Sequence, residues 1–222
     1  MNSKTITIVG VIIALMIVLG GGWYFFGDRI FGPAEVGGKV NMTELMKPSP
    51  LGENVQGAAN APVTIIEYAS TTCPHCAHFH ATTYPELKKR YIDTGKVRFI
   101  FREFPLNDID FFAYMLTRCI GKDKFFPFLD VLFSQQDKWV VSPPASPLPP
   151  LTALAKQVGF TDESIEACRK DKSVFDGVTW SSEQGTKLGV RSTPTFFIDG
   201  KMYSGDMSIE QLDKILAPLL KS

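Results

Sequence analysis

The chain has 222 residues, 45% hydrophobic and 21% charged, with 23 basic side chains balanced by 23 acidic ones. That composition excludes a disordered or collagen-like chain and suits one globular domain of about 160 to 200 residues with an appendage. Zero formal charge also argues against nucleic acid as a partner, because duplex binding needs a surplus of Lys and Arg to displace counterions.

Ile6 to Phe26 carries no charge. As a helix it extends roughly 31 Å, enough for one bilayer crossing, and Trp23 and Tyr24 fall where aromatic rings favour the headgroup layer. A cleaved signal peptide with Lys4 as its basic region is the alternative. The length of the run and the lack of an Ala-x-Ala site after it favour a retained anchor over residues 1–27. Lys4 on one side and Arg29 and Lys39 on the other leave its direction to be decided by the chemistry downstream. Residues 28–62, with Gly32, Gly37, Gly38 and Gly52 among Pro33, Pro48 and Pro50, read as a flexible tether spanning roughly 33 Å, in which Met42 to Met46 could close a short helical turn.

Val63 to Ala69 is rich in β-branched residues and reads as a buried strand. A helix follows from Pro74 to about Thr94, kinked at Pro85 and ended by Asp93-Thr94-Gly95, and Val97 to Phe101 is a second strand. This βαβ order demands parallel strands and a right-handed crossover. From Asn107 the pattern turns helical, with segments at Ile109–Ile120, Lys124–Lys138, Leu151–Val158, Glu163–Lys170 and Val174–Leu188. The five prolines between Ser142 and Pro150 exclude a helix or central strand there. Phe111, Phe112, Phe125, Phe126, Phe128 and Phe133 read as the core of this helical region. Thr195–Ile198 and Lys201–Ser204 flank Asp199-Gly200 as a hairpin, and Ser208 with Gln211 forms a capping box opening a last helix towards Leu220. The boundaries that follow are 63–104, 105–175 for the helical insertion, and 176–222.

The motif Cys73-Pro74-His75-Cys76 lies where the first strand passes into the first helix. With Cys73 at the N-cap, Pro74 occupies the first helical position, where its missing N–H costs nothing, and the N–H groups of His75 and Cys76 face the Cys73 sulfur. The positive helix end favours a thiolate there, and an imidazolium at His75 adds attraction. Cys76, one turn deeper, can attack a mixed disulfide at Cys73 but is hard to reach. If Cys73 ionised near pH 4 in place of about 8.5, the dithiol would gain about 4 kcal/mol at neutral pH, or roughly 90 mV of oxidising power. Two other readings remain open. His78 and His80 follow closely enough to suggest zinc, although Cys73, Cys76, His78 and His80 on one helix do not share a face. Inert thiols are the other, disfavoured because Cys73 next to Pro74 reads as exposed. No metal is assigned.

Glu-Tyr-Ala-Ser-Thr-Thr-Cys-Pro-His-Cys at 67–76, with Ser-Thr-Pro-Thr-Phe-Phe-Ile at 192–198, resembles the DsbA-like group of the thioredoxin superfamily, extracytoplasmic thiol oxidases. The likeness covers about residues 55 to 220. It implies an α/β thioredoxin fold, split by the helical insertion and preceded by the transmembrane helix, with a redox-active Cys73–Cys76 disulfide and no other cofactor. It also implies that Thr193-Pro194 is a cis peptide lying against Cys73, leaving backbone groups free to pair with a substrate strand; the residues alone mark Pro194 only as a strand-start proline. Glu67 matches a buried acid beneath the active site that accepts a proton from Cys76; a Glu facing water from an edge strand is the alternative. Some members carry a second disulfide in the insertion. Cys119 and Cys168, if joined, close a loop of about 50 residues worth on the order of 4 kcal/mol, and two buried free thiols are the alternative. Implied partners are reduced or unfolded secreted proteins and a DsbB-like membrane quinone reductase. The implied location is the inner membrane, through Ile6–Phe26, with the catalytic domain in the periplasm or its equivalent. Thr193 is also compatible with a reductase or isomerase on the same fold, and a groove that holds unfolded chains without turnover is a further alternative.

Overall fold

Strand β3, Val63–Ala69, lies at the centre of a six-stranded sheet, and its sequence explains why. Val-Thr-Ile-Ile-Glu-Tyr-Ala presents bulky residues at both parities, so both faces of the strand are covered. In this computed structural model, which describes residues 34–35, 39–142 and 145–221, the sheet also contains β1 (Ala34–Glu35), β2 (Asn54–Gln56), β4 (Val97–Glu103), β5 (Thr195–Ile198) and β6 (Lys201–Ser204). The order is β1-β6-β5-β3-β4-β2, with β3 and β4 parallel and every other pair antiparallel. The β5–β6 turn places Asp199 at φ 49° and Gly200 at φ 80°, the left-handed pair that a two-residue hairpin requires.

The period of two sorts β3 into two cores. Val63, Ile65 and Ala69 belong to a large cluster shared with the helices, whereas Ile66 and Tyr68 join Ile100, Val190, Phe197 and Leu45 on the other face. Glu67 has the parity of Ile65 and Ala69 and is therefore carried into the large core.

The helix after β3 divides into α2 (Pro74–Thr82), α3 (Tyr84–Leu87) and a π-helical turn at Lys88–Ile92. The break falls at Thr83, ahead of the expected kink at Pro85, because Pro85 sits in the first turn of α3, where a proline fits. The insertion comprises α4 (Asp108–Cys119), α5 (Lys122–Ser134), α6 (Gln136–Trp139), α7 (Leu148–Gln157) and α8 (Asp162–Arg169). Phe125, Phe128 and Phe133 are buried, whereas Phe111, Phe112 and Phe126 pack partly buried around the same core. A disulfide joins Cys119 at the end of α4 to Cys168 in α8, so the reading of these two as free thiols does not hold.

Three sequence expectations need correction. The proline-rich stretch admits a helix after all, because α7 starts at Leu148 and takes Pro149 and Pro150 into its first turn, where no N–H is required. Helix α9, Lys172–Lys187, runs across the expected boundary between 175 and 176. Residues 39–62 are no free tether. The helix α1 (Met42–Leu45), capped by Asn41, puts Leu45 into the second core at 1% exposure, where burial is worth about 2 kcal/mol, and β2 pairs with β4. Leu51 packs against Gly177 of α9, where a Cβ would sit 2.2 Å from its side chain, and Arg102 reaches across to the Lys47 carbonyl and Glu53. The apolar run Ile6–Phe26 lies outside the described residues; within them no helix is long and apolar enough to cross a membrane.

Candidate active site

Cys73 is the N-cap of α2, with φ −84° and ψ 121°, and Pro74 is the first helical residue, as its missing N–H allows. Cys73 and Cys76 are unbonded thiols and both are buried, Cys73 at 7% exposure and Cys76 at 0%. Cys73 is thus more covered than the motif suggested. The Thr193 loop provides the cover: the Cys73 thiol donates to the Thr193 carbonyl at 3.2 Å, and Thr193-Pro194 is a cis peptide.

The two thiols are driven apart in acidity. Cys73 falls to about 5, chiefly because the Cys76 thiol donates to its thiolate, with the Thr193 hydroxyl and the backbone N–H groups of Cys76 and His75 adding to this against the cost of burial. Cys76 is pushed well above the ordinary thiol range by burial first, then by the bond to Cys73 and the charge of Glu67. His75 therefore acts on Cys73 through its backbone N–H, while its side chain stands exposed. With Cys73 at about 5, the dithiol gains about 3 kcal/mol at neutral pH relative to an unshifted thiol, roughly 60 mV, less than the sequence-based figure.

Glu67 is fully buried on the central strand, which removes the edge-strand alternative. Its Oε2 lies 3.0 Å from His80 Nε2, and its Oε1 has no partner. His78, by contrast, is exposed and lies against Asp206, with 2.5 Å between Nδ1 and Oδ2. The two histidines that suggested zinc are thus engaged by different carboxylates. At the Thr193 loop both carbonyls accept a hydrogen bond, Thr193 from the Cys73 thiol and Pro194 from the Gly205 N–H at 2.9 Å, and only the first of these bonds depends on the protonation of Cys73.

Two residues that sequence reasoning passed over hold the active-site turn. Asp110, buried in α4, accepts from Ser70 Oγ at 2.6 Å, from the Thr71 N–H at 2.9 Å and from the Leu106 N–H at 2.9 Å, and burial pushes its carboxyl up. Gln136 of α6 donates its amide to the carbonyls of Thr71 at 2.8 Å and Cys73 at 3.0 Å. Asp110 stands three residues after the cap Asn107, where an acid ordinarily complements the helix end, so only the fold reveals its second task. Gln136 carried no sequence signal.

The chain is similar to several known proteins. A family model described as "Thioredoxin" matches residues 50–217. A protein of Rickettsia bellii named "Putative protein-disulfide oxidoreductase" is 38% identical over 148 residues, 66% of this chain and 56% of that protein. A Rickettsia prowazekii relative of the same kind is 36% identical over 73% of this chain and 61% of its own length, so the chain spans somewhat over half of these relatives. The crystal structure of alpha-DsbA1 from Wolbachia pipientis is 30% identical with a TM-score of 0.74, covering 82% of this chain and 96% of that one. BdbD from Bacillus subtilis, 21% identical with a TM-score of 0.67 over 85% of this chain and 99% of its own, shares the fold. With its Cys73–Cys76 pair at the head of α2 facing Thr193-Pro194, this chain belongs to the DsbA-like group of the thioredoxin superfamily.

Proposed function

We propose that the protein is a thiol–disulfide oxidase that introduces disulfide bonds into extracytoplasmic proteins. One observation carries the reading: the reduced pair is held as a thiolate at Cys73, at about 5, beside a thiol at Cys76 that resists ionisation. A dithiol stabilised in this way makes the disulfide form a strong oxidant. In the reaction a substrate thiolate attacks Cys73, the Cys73–Cys76 bond breaks, and the electron pair leaves on Cys76, which takes up a proton. A second substrate thiolate attacks the substrate sulfur of the mixed disulfide, releasing the substrate disulfide and Cys73 as thiolate. Two substrate thiols are oxidised and the enzyme pair is reduced; the two thiols give up two protons on forming thiolates, Cys76 takes one, and one is released to solvent. The Thr193-Pro194 loop, against Cys73, is where the substrate backbone would lie, its Thr193 carbonyl becoming available once the Cys73 thiol no longer donates to it.

The uncharged run Ile6–Phe26 supports anchoring in the inner membrane with the catalytic unit on the periplasmic or equivalent side, close to a DsbB-like quinone reductase that would reoxidise the pair. Equilibration of the protein with glutathione tests the reading. A potential more oxidising than about −200 mV is expected, and one near the −270 mV of thioredoxin would make the protein a reductase.

A further inference from the structure

The proposed reaction requires a proton to reach Cys76 each time the disulfide opens and to leave each time it closes, yet Cys76 is 0% exposed. Glu67, whose charge acts on Cys76, is equally sealed, so it can hold a proton but cannot exchange it with solvent unaided. Its hydrogen-bonded neighbour His80, at 3.0 Å, is the one ionisable side chain bonded to it among the described residues. The ring of His80 is stacked on Phe133 at 4.2 Å and flanked by Tyr84 at 4.8 Å, which fixes its plane, and its Nδ1 is buried with no partner. His80 also lines a groove of about 380 Å³ between α2, α3 and α5, together with Ala77, Lys88, Asp130 and Ser134. A groove of that size holds several waters.

We propose that His80 is a proton-relay and positioning residue, which carries the proton of Cys76 between buried Glu67 and the water of this groove. An imidazole suits the task because it can take a proton at one nitrogen and release one from the other without moving. As the Cys73–Cys76 bond breaks, the Cys76 sulfur receives the electron pair and a proton from Glu67; His80 returns a proton to Glu67 from Nε2 and recovers one at its buried Nδ1 when the groove wall opens to admit water to that nitrogen. Reoxidation runs the same steps backwards as the Cys76 thiol attacks a mixed disulfide at Cys73. The charged and titratable groups around the ring are Glu67 from β3, Tyr84 from α3, Lys88 from the π-helical turn and Asp130 from α5. Asp130 lines the same groove, its carboxyl raised by burial against the opposing charges of His80 and Lys88.

This inference rests on the exchange chemistry proposed above, and its test is separable from it. The reduced full-length protein is mixed with dithiobis-nitrobenzoate in a stopped-flow instrument. The first release of thionitrobenzoate reports attack by Cys73 and the second reports resolution by Cys76. In His80→Gln, which keeps an N–H towards Glu67 but cannot relay, the second phase is expected to slow at least tenfold between pH 5 and 8 while the first is unchanged. In His80→Ala, added imidazole is expected to recover part of the second rate. A His80→Gln second phase at the wild-type rate overturns the relay, as does equal slowing of both phases, which places the effect at the Cys73 turn. Neither outcome alters the glutathione equilibrium of the wild-type protein, and a thioredoxin-like potential would leave the second phase intact.

Discussion

Cys73 and Cys76 share one helical turn and are unbonded, whereas Cys119 and Cys168 lie 49 residues apart and are joined. The side chains are identical; the surroundings differ. At Cys73 a thiol, a hydroxyl and two backbone N–H groups stabilise a thiolate, so the broken bond is a favourable state. The second pair ties the end of α4 to α8, where its main effect is to restrict the unfolded chain. A redox-active pair is therefore distinguished from a structural one by what waits for the sulfur after the bond opens.

The largest effect that would sharpen this contrast is on stability. Replacing Cys119 and Cys168 together with Ala is expected to cost up to about 4 kcal/mol in urea unfolding, while the ionisation of Cys73, followed by thiolate absorbance, stays in place. A concurrent shift at Cys73 would mean that the pairs are coupled. Next comes pH. Because the folded value of Cys73 is depressed to about 5, the stability it lends the reduced protein is complete above the unfolded thiol value and is lost as pH falls through about 5. The stability of reduced relative to oxidised protein should thus rise between pH 5 and 9, with about 3 kcal/mol present at neutral pH. A flat profile would break the comparison.

Smaller changes probe the scaffold. Gln136→Leu removes the bonds to the Thr71 and Cys73 carbonyls and should cost about 1 to 2 kcal/mol, visible in the unfolding midpoint. The smallest expected change is at Thr193. Its hydroxyl is buried without a partner while Cys73 is a thiol and becomes a donor once the sulfur ionises, so Thr193→Val should raise the Cys73 value, by less than Cys76→Ala does. Thiolate absorbance read across a pH titration of both variants orders the two contributions.

Much of this contrast can be read in the sequence because it is local. A Cys before a Pro at a helix start, a strand of alternating bulk, an Asp-Gly turn and a Ser-x-x-Gln cap each act within a few residues, and each element formed where its chemistry placed it. Residues 39–62 depart from the tether expectation because glycines and prolines signal flexibility only where no distant surface captures the apolar residues among them. Leu45 is buried among Ile66, Tyr68 and the more distant Ile100, Val190 and Phe197, and Leu51 packs against Gly177, so their sites exist only once the sheet and helices have assembled.

Chain order alone determined the strand–helix framework and the position of Cys73 at a helix N-terminus, since backbone propensity and capping need no distant partner. Tertiary structure decided which groups surround that sulfur. The Thr193 loop, Asp110 and Gln136 come from segments remote from the motif, and Glu67 meets His80 only because strand parity turns one inward while the helix lays the other over it. Hydrogen bonds and burial depend on proximity in space, which no local pattern of residues encodes.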